Sequence, residues 1–414
     1  MDSDDPQREY RCPGRTDPIS RAVHLGRLAA FDPRCRQCPH RDDVGPVSSR
    51  QRKRLAQARR RAEGGPLFGE EGVSGVCWNG LRPADARRIA AAFGVWLRQE
   101  RPAAARTAPV VLAGDGRTLT SEWVAAAAEG LAWGGWNVVD IGPASAACAA
   151  FAVQHLEAAG GLLVGNPAGL AQTAGLKFWA EGAEPLSAGG TLEAIQAIHA
   201  RGADRPARKS GSLRRSQLEP LYLALFEPAF HALRPLRFVL ESTCGPVVDY
   251  LRKLLSRVAC QMVLGRVRPD PPPPPLPRDP LHFALRVDDD GERCRLWDES
   301  GQEVPAERLL VLLSGLPCAR DVVLEQTASR AVAQEIRTLG GHVWWSEPRR
   351  AAMHRAMRAQ GAGLGGGPTG RFWHAQADRC LAADALRTLT LLLGLLSQSD
   401  RPLSEVLDAV GGGG

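Results

Sequence analysis

Apolar strand-like runs alternate with helix-like runs along most of this 414-residue chain, and this alternation constrains the fold more than any other feature. The first series contains APVVLAGDG (108–116), WNVVDIGP (136–143) and GGLLVGN (160–166), with helix-like segments between them. The same order restarts near residue 236 and again near residue 304. Strands that alternate with helices favour layered α/β domains with largely parallel sheets. A theme that occurs three times predicts three related domains.

Shifts in composition predict where these domains begin and end. The polar stretch at 202–217 interrupts the alternation, and RPDPPPPPLPRDP (268–280) is typical of a rigid, extended connector. Residues 1–62 differ from the rest because they combine three cysteines with a basic, helix-like stretch. We therefore predict a Cys/His extension with a basic helix over 1–62 and α/β domains over 63–203, 204–303 and 304–410.

Composition narrows the class of protein. The chain is 44% hydrophobic and 23% charged, as expected for a globular protein with real cores. Its net charge of +7 comes from arginine in a sequence rich in Ala, Gly and Pro, so it does not by itself favour a nucleic-acid partner. No run reaches the roughly 18 apolar residues of a membrane span, and the polar start MDSDDPQREY is not a signal peptide. We expect a cytoplasmic protein whose ten cysteines are reduced.

Four segments, in order, resemble motifs of the α-D-phosphohexomutase family, the phosphoglucomutases and phosphomannomutases. A weaker fifth segment, LGGGPTGRFW, occupies the place of the family's sugar-reading loop. The five segments are 68–75, 110–123, 160–177, 287–301 and 364–373. The resemblance implies three mixed-sheet α/β/α domains over the three ranges predicted above. It also implies a role in carbohydrate metabolism, where the family, classed with the isomerases, moves a phosphoryl group between two oxygens of a hexose phosphate by way of a phosphoserine.

The phosphoserine of the family has no counterpart here. The resemblance places Pro167 in its position when the motifs are aligned on Gly175 and Lys177, and Val164 when they are aligned on Asn166 and Pro167. No Ser, Thr, Cys, His, Asp or Glu lies between residues 160 and 172. We therefore expect that this loop carries no phosphoryl group. The resemblance further leads us to expect that the family's fourth, C-terminal domain is lacking.

An acidic loop resembles the family's metal-binding loop. Asp288, Asp290 and Glu292 alternate in sequence, so their carboxylates could converge on a hard cation such as Mg²⁺. Glu292 replaces an aspartate of the family, and we expect its longer side chain to weaken the site. The alternative interpretation is a plain acidic turn between two strands. Arg293, which follows directly, keeps a family position and could meet an anion.

The remaining site residues are implied by the resemblance alone. Lys177 and Arg293 are the residual catalytic candidates, although a lone lysine is more often a solvated surface residue. Thr369 and Arg371 stand where the family has the Ser and His of its sugar loop, and they are the candidates for substrate binding. Gly367 replaces the family's glutamate there, so a carboxylate for sugar hydroxyls is missing.

The N-terminal extension suggests a second metal. Cys35 and Cys38 form a Cys-x₂-Cys pair, Cys12 lies upstream, and either His40 or His24 could be the fourth ligand. Four such ligands suit tetrahedral Zn²⁺ in a structural role. Free thiols in a tail are the alternative.

These observations predict a non-catalytic homologue, or pseudoenzyme, that binds a sugar phosphate or a protein partner, or has a regulatory role. The alternative is an active intramolecular phosphotransferase on hexose phosphates with an atypical mechanism. In either case we expect no membrane partner.

Overall fold

The computed structural model describes residues 9–13, 16–29, 32, 34–35, 38–43, 49, 67–77, 80–100, 108–166, 173–202, 206–265, 281–375 and 380–411. Within these ranges, a small N-terminal unit is followed by three α/β units, each built on its own sheet. Across the same ranges, none of the helices has the length and apolar character needed to cross a bilayer.

The N-terminal unit is a strand pair followed by one helix. Strand β1 (Tyr10–Arg11) pairs antiparallel with β2 (Pro18–Ile19), and helix α1 covers Arg21–Ala29. Tyr10 is buried and stacks on the His24 ring at 4.1 Å between ring centres. This aromatic contact ties the helix to the strand pair.

The first α/β unit has a six-stranded sheet. Its strands are β3 (Val73–Val76), β4 (Val110–Gly114), β5 (Val138–Pro143), β6 (Gly160–Gly165), β7 (Thr173–Ala180) and β8 (Leu213–Arg215). Its helices are α2 (Pro83–Glu100), α3 (Ser121–Trp133), α4 (Ala146–His155) and α5 (Thr191–Arg201). The strand order is β3-β7-β6-β4-β5-β8, with β7 antiparallel to both of its neighbours. Every residue of β4 and β6 is buried, as expected where helices cover both faces of a sheet.

The second unit has a five-stranded sheet. Its strands are β9 (Arg237–Ser242), β10 (Gln261–Leu264), β11 (Phe283–Val287), β12 (Cys294–Asp298) and β13 (Glu303–Val304), and its helices are α6 (Glu219–Ala224) and α7 (Gly245–Leu255). The order is β10-β9-β11-β12-β13, with β9 parallel to β10 and β11. Strands β11 and β12 are antiparallel, and Val287 pairs with Cys294 at the end of their ladder. The acidic loop 288–293 is therefore the turn of this hairpin.

The third unit repeats the five-stranded pattern. Its strands are β14 (Asp321–Glu325), β15 (His342–Ser346), β16 (Leu364–Gly366), β17 (Trp373–Ala375) and β18 (Leu381–Ala383). Its helices are α8 (Ala306–Ser314), α9 (Arg330–Thr338), α10 (Arg350–Gln360), α11 (Ala385–Leu396) and α12 (Leu403–Gly411). The order is β15-β14-β16-β17-β18, with β14 parallel to β15 and β16. Ser329 and Asp384 cap α9 and α11 by accepting backbone N–H bonds, which fixes where these helices begin.

The predicted α/β class with three mixed sheets is confirmed, because the sheet of each α/β unit combines parallel and antiparallel pairs. The predicted domain limits stay a prediction. The first sheet extends past 203, since β8 pairs with β5. One apolar cluster runs through all three units, from Phe151 through Phe283 to Leu389, so the units share a core.

Candidate functional site

The turn between β11 and β12 lies where the three α/β units meet. The Asp290 carbonyl accepts a hydrogen bond from the backbone N–H of Ala146, at 2.9 Å, where α4 begins. The Gly291 carbonyl accepts one from the backbone N–H of Ala385, at 3.0 Å, where α11 begins. Two consecutive residues of the second unit are thus bonded to the first and the third.

Asp288 organises this turn from within. Its Oδ1 accepts the backbone N–H groups of Gly291, Glu292 and Arg293 at 3.0, 2.9 and 3.1 Å. Gly291 has a φ of 82°, a conformation that suits glycine. Burial, and then the neighbouring charge of Asp290, raise the pKa of the Asp288 carboxyl well above its ordinary value. Asp288 therefore stabilises its own turn through hydrogen bonds to Oδ1.

Lys177, on β7, lies against two further acidic side chains of the turn, Asp290 and Glu292. Its Nζ donates to Asp290 Oδ2 and, at 3.1 Å, to Glu292 Oε2. The Lys177 side chain is only 3% exposed, so the alternative of a solvated surface lysine is wrong. A lysine this deeply buried is found almost only where it is paired.

Two arginines of the third unit approach Glu292 from the other side. Arg350 donates to Glu292 Oε1 at 2.7 Å, and Arg371 Nη2 lies 3.2 Å from Oε2. Burial raises the pKa of Glu292, but the charges of Arg350, Lys177 and Arg371 outweigh it and hold the pKa at about 2. Glu292 is therefore ionised in the folded protein at any pH near neutrality.

Glu71, from the first unit, completes the network. It accepts from Arg371 at 2.6 Å and from Arg293 at 2.8 Å, and it lies 3.7 Å from Lys177 Nζ. Burial opposes its ionisation, but the nearby charges, Lys177 first, hold its pKa below its usual range. We call the whole group the ion-pair centre, and its members are Glu71, Lys177, Asp290, Glu292, Arg293, Arg350 and Arg371. All three α/β units contribute to it.

The ion-pair centre has more positive than negative charge. It contains four cationic side chains and three carboxylates, a balance of +1. Among the described residues of this centre, four arginine nitrogens are buried and have no hydrogen-bond partner: Arg293 Nε, Arg350 Nε and Nη1, and Arg371 Nε. The Arg350 guanidinium also lies over the Trp179 ring, 5.0 Å from its centre. Buried N–H donors without acceptors are costly, and an anion is the ligand that would satisfy them.

The predicted magnesium set does not form. The described part of the chain contains no group of three or more His, Cys, Asp or Glu residues able to hold a metal ion. The physical reason is that Asp288 is turned into its own loop, while the Lys177 ammonium lies between Asp290 and Glu292. Of the two interpretations of the sequence, the structure favours the acidic turn.

The predicted zinc site does not form among the described residues either. Cys12, Cys35 and Cys38 are buried, and Arg27 donates to the sulfur of Cys12 at 2.9 Å. Burial, then Asp32, then the other two thiols raise the pKa of Cys35 to about 12.

The two candidate histidine ligands have other contacts. His24 Nε2 is 3.0 Å from the Asp43 carbonyl, and its ring stacks on Tyr10. His40 meets the edge of the same Tyr10 ring, with 5.3 Å between centres. Both imidazoles therefore belong to an aromatic cluster around Tyr10.

The candidate sugar loop is closed by a glutamate that the sequence analysis missed. Glu325, at the end of β14, is fully buried and accepts from Thr369 Oγ1 at 2.6 Å. A Cβ on Gly367 would lie 2.7 Å from Glu325 Oε2. Glu325 thus fills the space above the residue that lacks a side chain. Thr369 and Arg371 are both engaged within the protein, and their role in substrate binding stays a prediction.

Of the two candidate positions for the phosphorylated residue, Pro167 lies outside the described residues. Val164 is fully buried in β6 and packs in the core of the first sheet. Its side chain has no group that could take a phosphoryl group. Arg350 was also missed, because nothing in the run PRRAAMHR (348–355) distinguishes one arginine from the next.

Comparison with known proteins gives this arrangement a family context. Residues 65–204 match the family model described as phosphoglucomutase/phosphomannomutase, alpha/beta/alpha domain I. A phosphoglucosamine mutase from Synechococcus sp. (strain RCC307) is 28% identical over 374 residues, which are 83% of this chain and 78% of that protein.

Solved structures are similar in fold. A phosphoglucomutase/phosphomannomutase family protein from Burkholderia thailandensis gives a TM-score of 0.71 at 22% identity, covering 83% of this chain and 79% of that one. An Aspergillus fumigatus N-acetylphosphoglucosamine mutase, solved with GlcNAc-6P and magnesium, gives 0.52 at 12% identity, covering 88% and 83%. The fold of the described residues is therefore the fold of these phosphohexomutases.

Proposed function

We propose that this chain, which belongs to the α-D-phosphohexomutase superfamily, is a non-catalytic homologue that binds a hexose phosphate without a metal ion. The observation that supports this most directly is the ion-pair centre. Catalysis of phosphoryl transfer needs positive charge that is free to stabilise the transferring group. Here most of that charge is already paired with Glu71, Asp290 and Glu292.

The lack of a phosphoryl carrier supports the same proposal. The family's mechanism passes through a phosphoserine, and the stretch from 160 to 172 offers no hydroxyl, thiol, imidazole or carboxylate. A chain without a carrier and with its cations paired has lost two separate requirements of the mutase reaction. Binding, which needs only complementary charge and shape, survives both losses.

The ligand class follows from the charge that is left over. The ion-pair centre has a surplus of +1, and four buried arginine nitrogens among its members lack acceptors. A phosphate monoester offers several strong acceptors and a negative charge, and arginine suits it particularly well. Among phosphate monoesters, the family resemblance favours a hexose phosphate. In the regulatory form of this proposal, binding of the sugar phosphate changes how the chain interacts with a protein partner.

The test combines turnover and binding. The purified chain is incubated with glucose, mannose or glucosamine 1-phosphate and the matching 1,6-bisphosphate, with and without Mg²⁺, and followed by phosphorus NMR. We expect no interconversion. In parallel, hexose phosphates should raise the melting temperature whether or not Mg²⁺ is present, because a ligand that binds the native state stabilises it, by about 2.7 kcal/mol at 100 times its Kd.

Two variants of helix α10 sharpen the binding test. Arg350→Gln should sharply reduce the ligand-induced rise in melting temperature, since it removes two of the four unpartnered arginine nitrogens. Arg355→Gln is the matched control, because Arg355 is 65% exposed and pairs only loosely with Glu184, at 3.6 Å. Magnesium-dependent turnover by the unmodified chain would make the active phosphotransferase the better description. Absence of stabilisation by every hexose phosphate would remove the binding proposal.

A further inference from the structure

A single buried ammonium group holds the position next to the acidic turn where a divalent cation would have to bind. Lys177 Nζ contacts Asp290 Oδ2, lies 3.1 Å from Glu292 Oε2 and 3.7 Å from Glu71 Oε2. These carboxylates come from the first and second units. An ammonium has three N–H donors, so one lysine can serve three carboxylates at once.

We propose that the Lys177 ammonium replaces a divalent metal ion as the resident cation of this centre, so that the three units are joined without metal. The proposal goes beyond the absence of turnover, since it concerns which cation the carboxylates accept. It also disagrees with what the fold would imply, given the magnesium in the Aspergillus fumigatus structure.

The geometry suits an ammonium and not Mg²⁺. Magnesium requires oxygens at ~2.0–2.1 Å in an octahedron, whereas here Asp290 and Glu292 accept hydrogen bonds from the Lys177 nitrogen and Glu71 lies further away, at 3.7 Å. Asp288, which would have to supply a further ligand, uses its Oδ1 on three backbone N–H groups of its own turn. A metal ion would therefore have to displace Lys177 and compete with three backbone N–H groups for Asp288 Oδ1.

Electrostatics acts in the same direction. The three carboxylates are already matched by Lys177, Arg293, Arg350 and Arg371, which leaves a charge of +1. Adding a divalent ion beside Lys177 would place two further positive charges next to three cations that are only 1–3% exposed, Lys177, Arg350 and Arg371. Like charges repel strongly when they are desolvated, so these cations disfavour a metal ion as long as the lysine is present.

Without the ammonium, the centre should accept a divalent ion. Lys177→Gln keeps a side chain of similar length and leaves Asp290 and Glu292 without their shared cation. The centre then has a charge of 0, and a divalent ion adjacent to two carboxylates supplies what has been lost. We expect this variant to bind Mn²⁺ at least about tenfold more tightly than the unmodified chain.

The experiment uses Mn²⁺ alone as the probe, with electron paramagnetic resonance to measure the free ion. The unmodified chain should leave Mn²⁺ free, and neither EDTA nor Mg²⁺ should change its melting temperature. Lys177→Gln should bind one Mn²⁺ per chain, and adding Asp290→Asn should remove that binding. Lys253→Gln is the matched control, because Lys253 is 58% exposed and pairs with Glu219 far from the turn.

Every outcome decides the proposal. Binding of one Mn²⁺ by the unmodified chain overturns it, as does a Lys177→Gln variant that gains no affinity. If Lys177→Gln does not fold by itself, it is refolded from urea with and without Mn²⁺; recovery only with the metal supports the proposal, and no recovery overturns it. None of these measurements depends on turnover or on a sugar phosphate, so failure here is distinct from failure of the proposed function.

Discussion

Glu292→Gln removes one negative charge from the ion-pair centre and leaves the shape of the side chain nearly unchanged. Glu292 is 3% exposed, and it accepts hydrogen bonds from Arg350 at 2.7 Å and Lys177 at 3.1 Å. The neutral amide would leave these cations buried and undercompensated. We expect the variant to be folded but clearly less stable than the unmodified chain.

The pKa of Glu292 and the usual cost of breaking a buried ion pair both give the expected loss of unfolding free energy. The pKa of Glu292 is about 2 in the folded protein against an ordinary value of 4.5, and a difference of this size corresponds to about 3 kcal/mol. Breaking a buried ion pair by removing one partner costs about 3–5 kcal/mol. Both place the expected loss of unfolding free energy near 3 kcal/mol at pH 7.

The pH dependence has a definite sign. Since the folded state has the lower pKa, the unfolded chain takes up the proton first as the pH falls. The contribution of Glu292 is therefore complete above about pH 4.5 and is lost as the pH falls toward 2. The difference between the variant and the unmodified chain should be large at pH 7 and should shrink at pH 3.

The assay is urea-induced unfolding, followed by far-ultraviolet circular dichroism and by tryptophan fluorescence. Glu303→Gln is the control, because Glu303 is 45% exposed and pairs with Arg295 at the surface; such pairs contribute about 0–1 kcal/mol. The ion-pair centre joins three units, so in Glu292→Gln the two probes should also cease to coincide. If Glu292→Gln and Glu303→Gln lose the same stability, the centre does not hold the units together.

Two further predictions concern packing and pH. Gly130→Ala, on α3, should cost several times more stability than Gly394→Ala, on α11. The new Cβ would lie 2.2 Å from the Arg87 carbonyl oxygen in the first case, whereas no atom lies within 4 Å of it in the second, where alanine should add about 0.5–1 kcal/mol. Urea unfolding of both variants checks this, and equal effects would contradict it. His354→Gln should reduce the loss of stability between pH 7 and pH 5 by about 2 kcal/mol. Burial and then Arg358 lower the pKa of His354 to about 4, so below pH 6.5 the unfolded chain takes up a proton on this histidine and the folded chain does not. Melting temperatures across this pH range test the prediction, and a variant whose pH profile matches that of the unmodified chain would refute it.

Much of the fold could be predicted from sequence because its signal is local. Buried strands such as β4 and β6 are short, continuous apolar runs between turn-forming residues, and their length and flanking residues can be recognised without any knowledge of spatial neighbours. Strand β8 could not be predicted in this way, since all three of its residues are exposed. It is a strand only because the edge of β5 is available for pairing.

The candidate site likewise contains residues that could be recognised from local sequence and residues that could not. The acidic turn was recognisable because Asp288, Asp290 and Glu292 are adjacent in sequence. Their partners were not, because Arg350 lies 58 residues after Glu292, and Lys177 lies 115 residues before it. The sequence shows the carboxylates that a metal ion needs, but it does not show the cationic side chains that the fold brings to them. Only the packing of three units supplies that number.

The two carbonyl groups at Asp290 and Gly291 have a mechanical consequence. One accepts a hydrogen bond from the first residue of α4 and the other from the first residue of α11. Two adjacent residues at the tip of one hairpin therefore connect the first and third units. An outward movement of either unit would strain the hairpin tip that also holds the other unit. The hairpin therefore couples the positions of the first and third units.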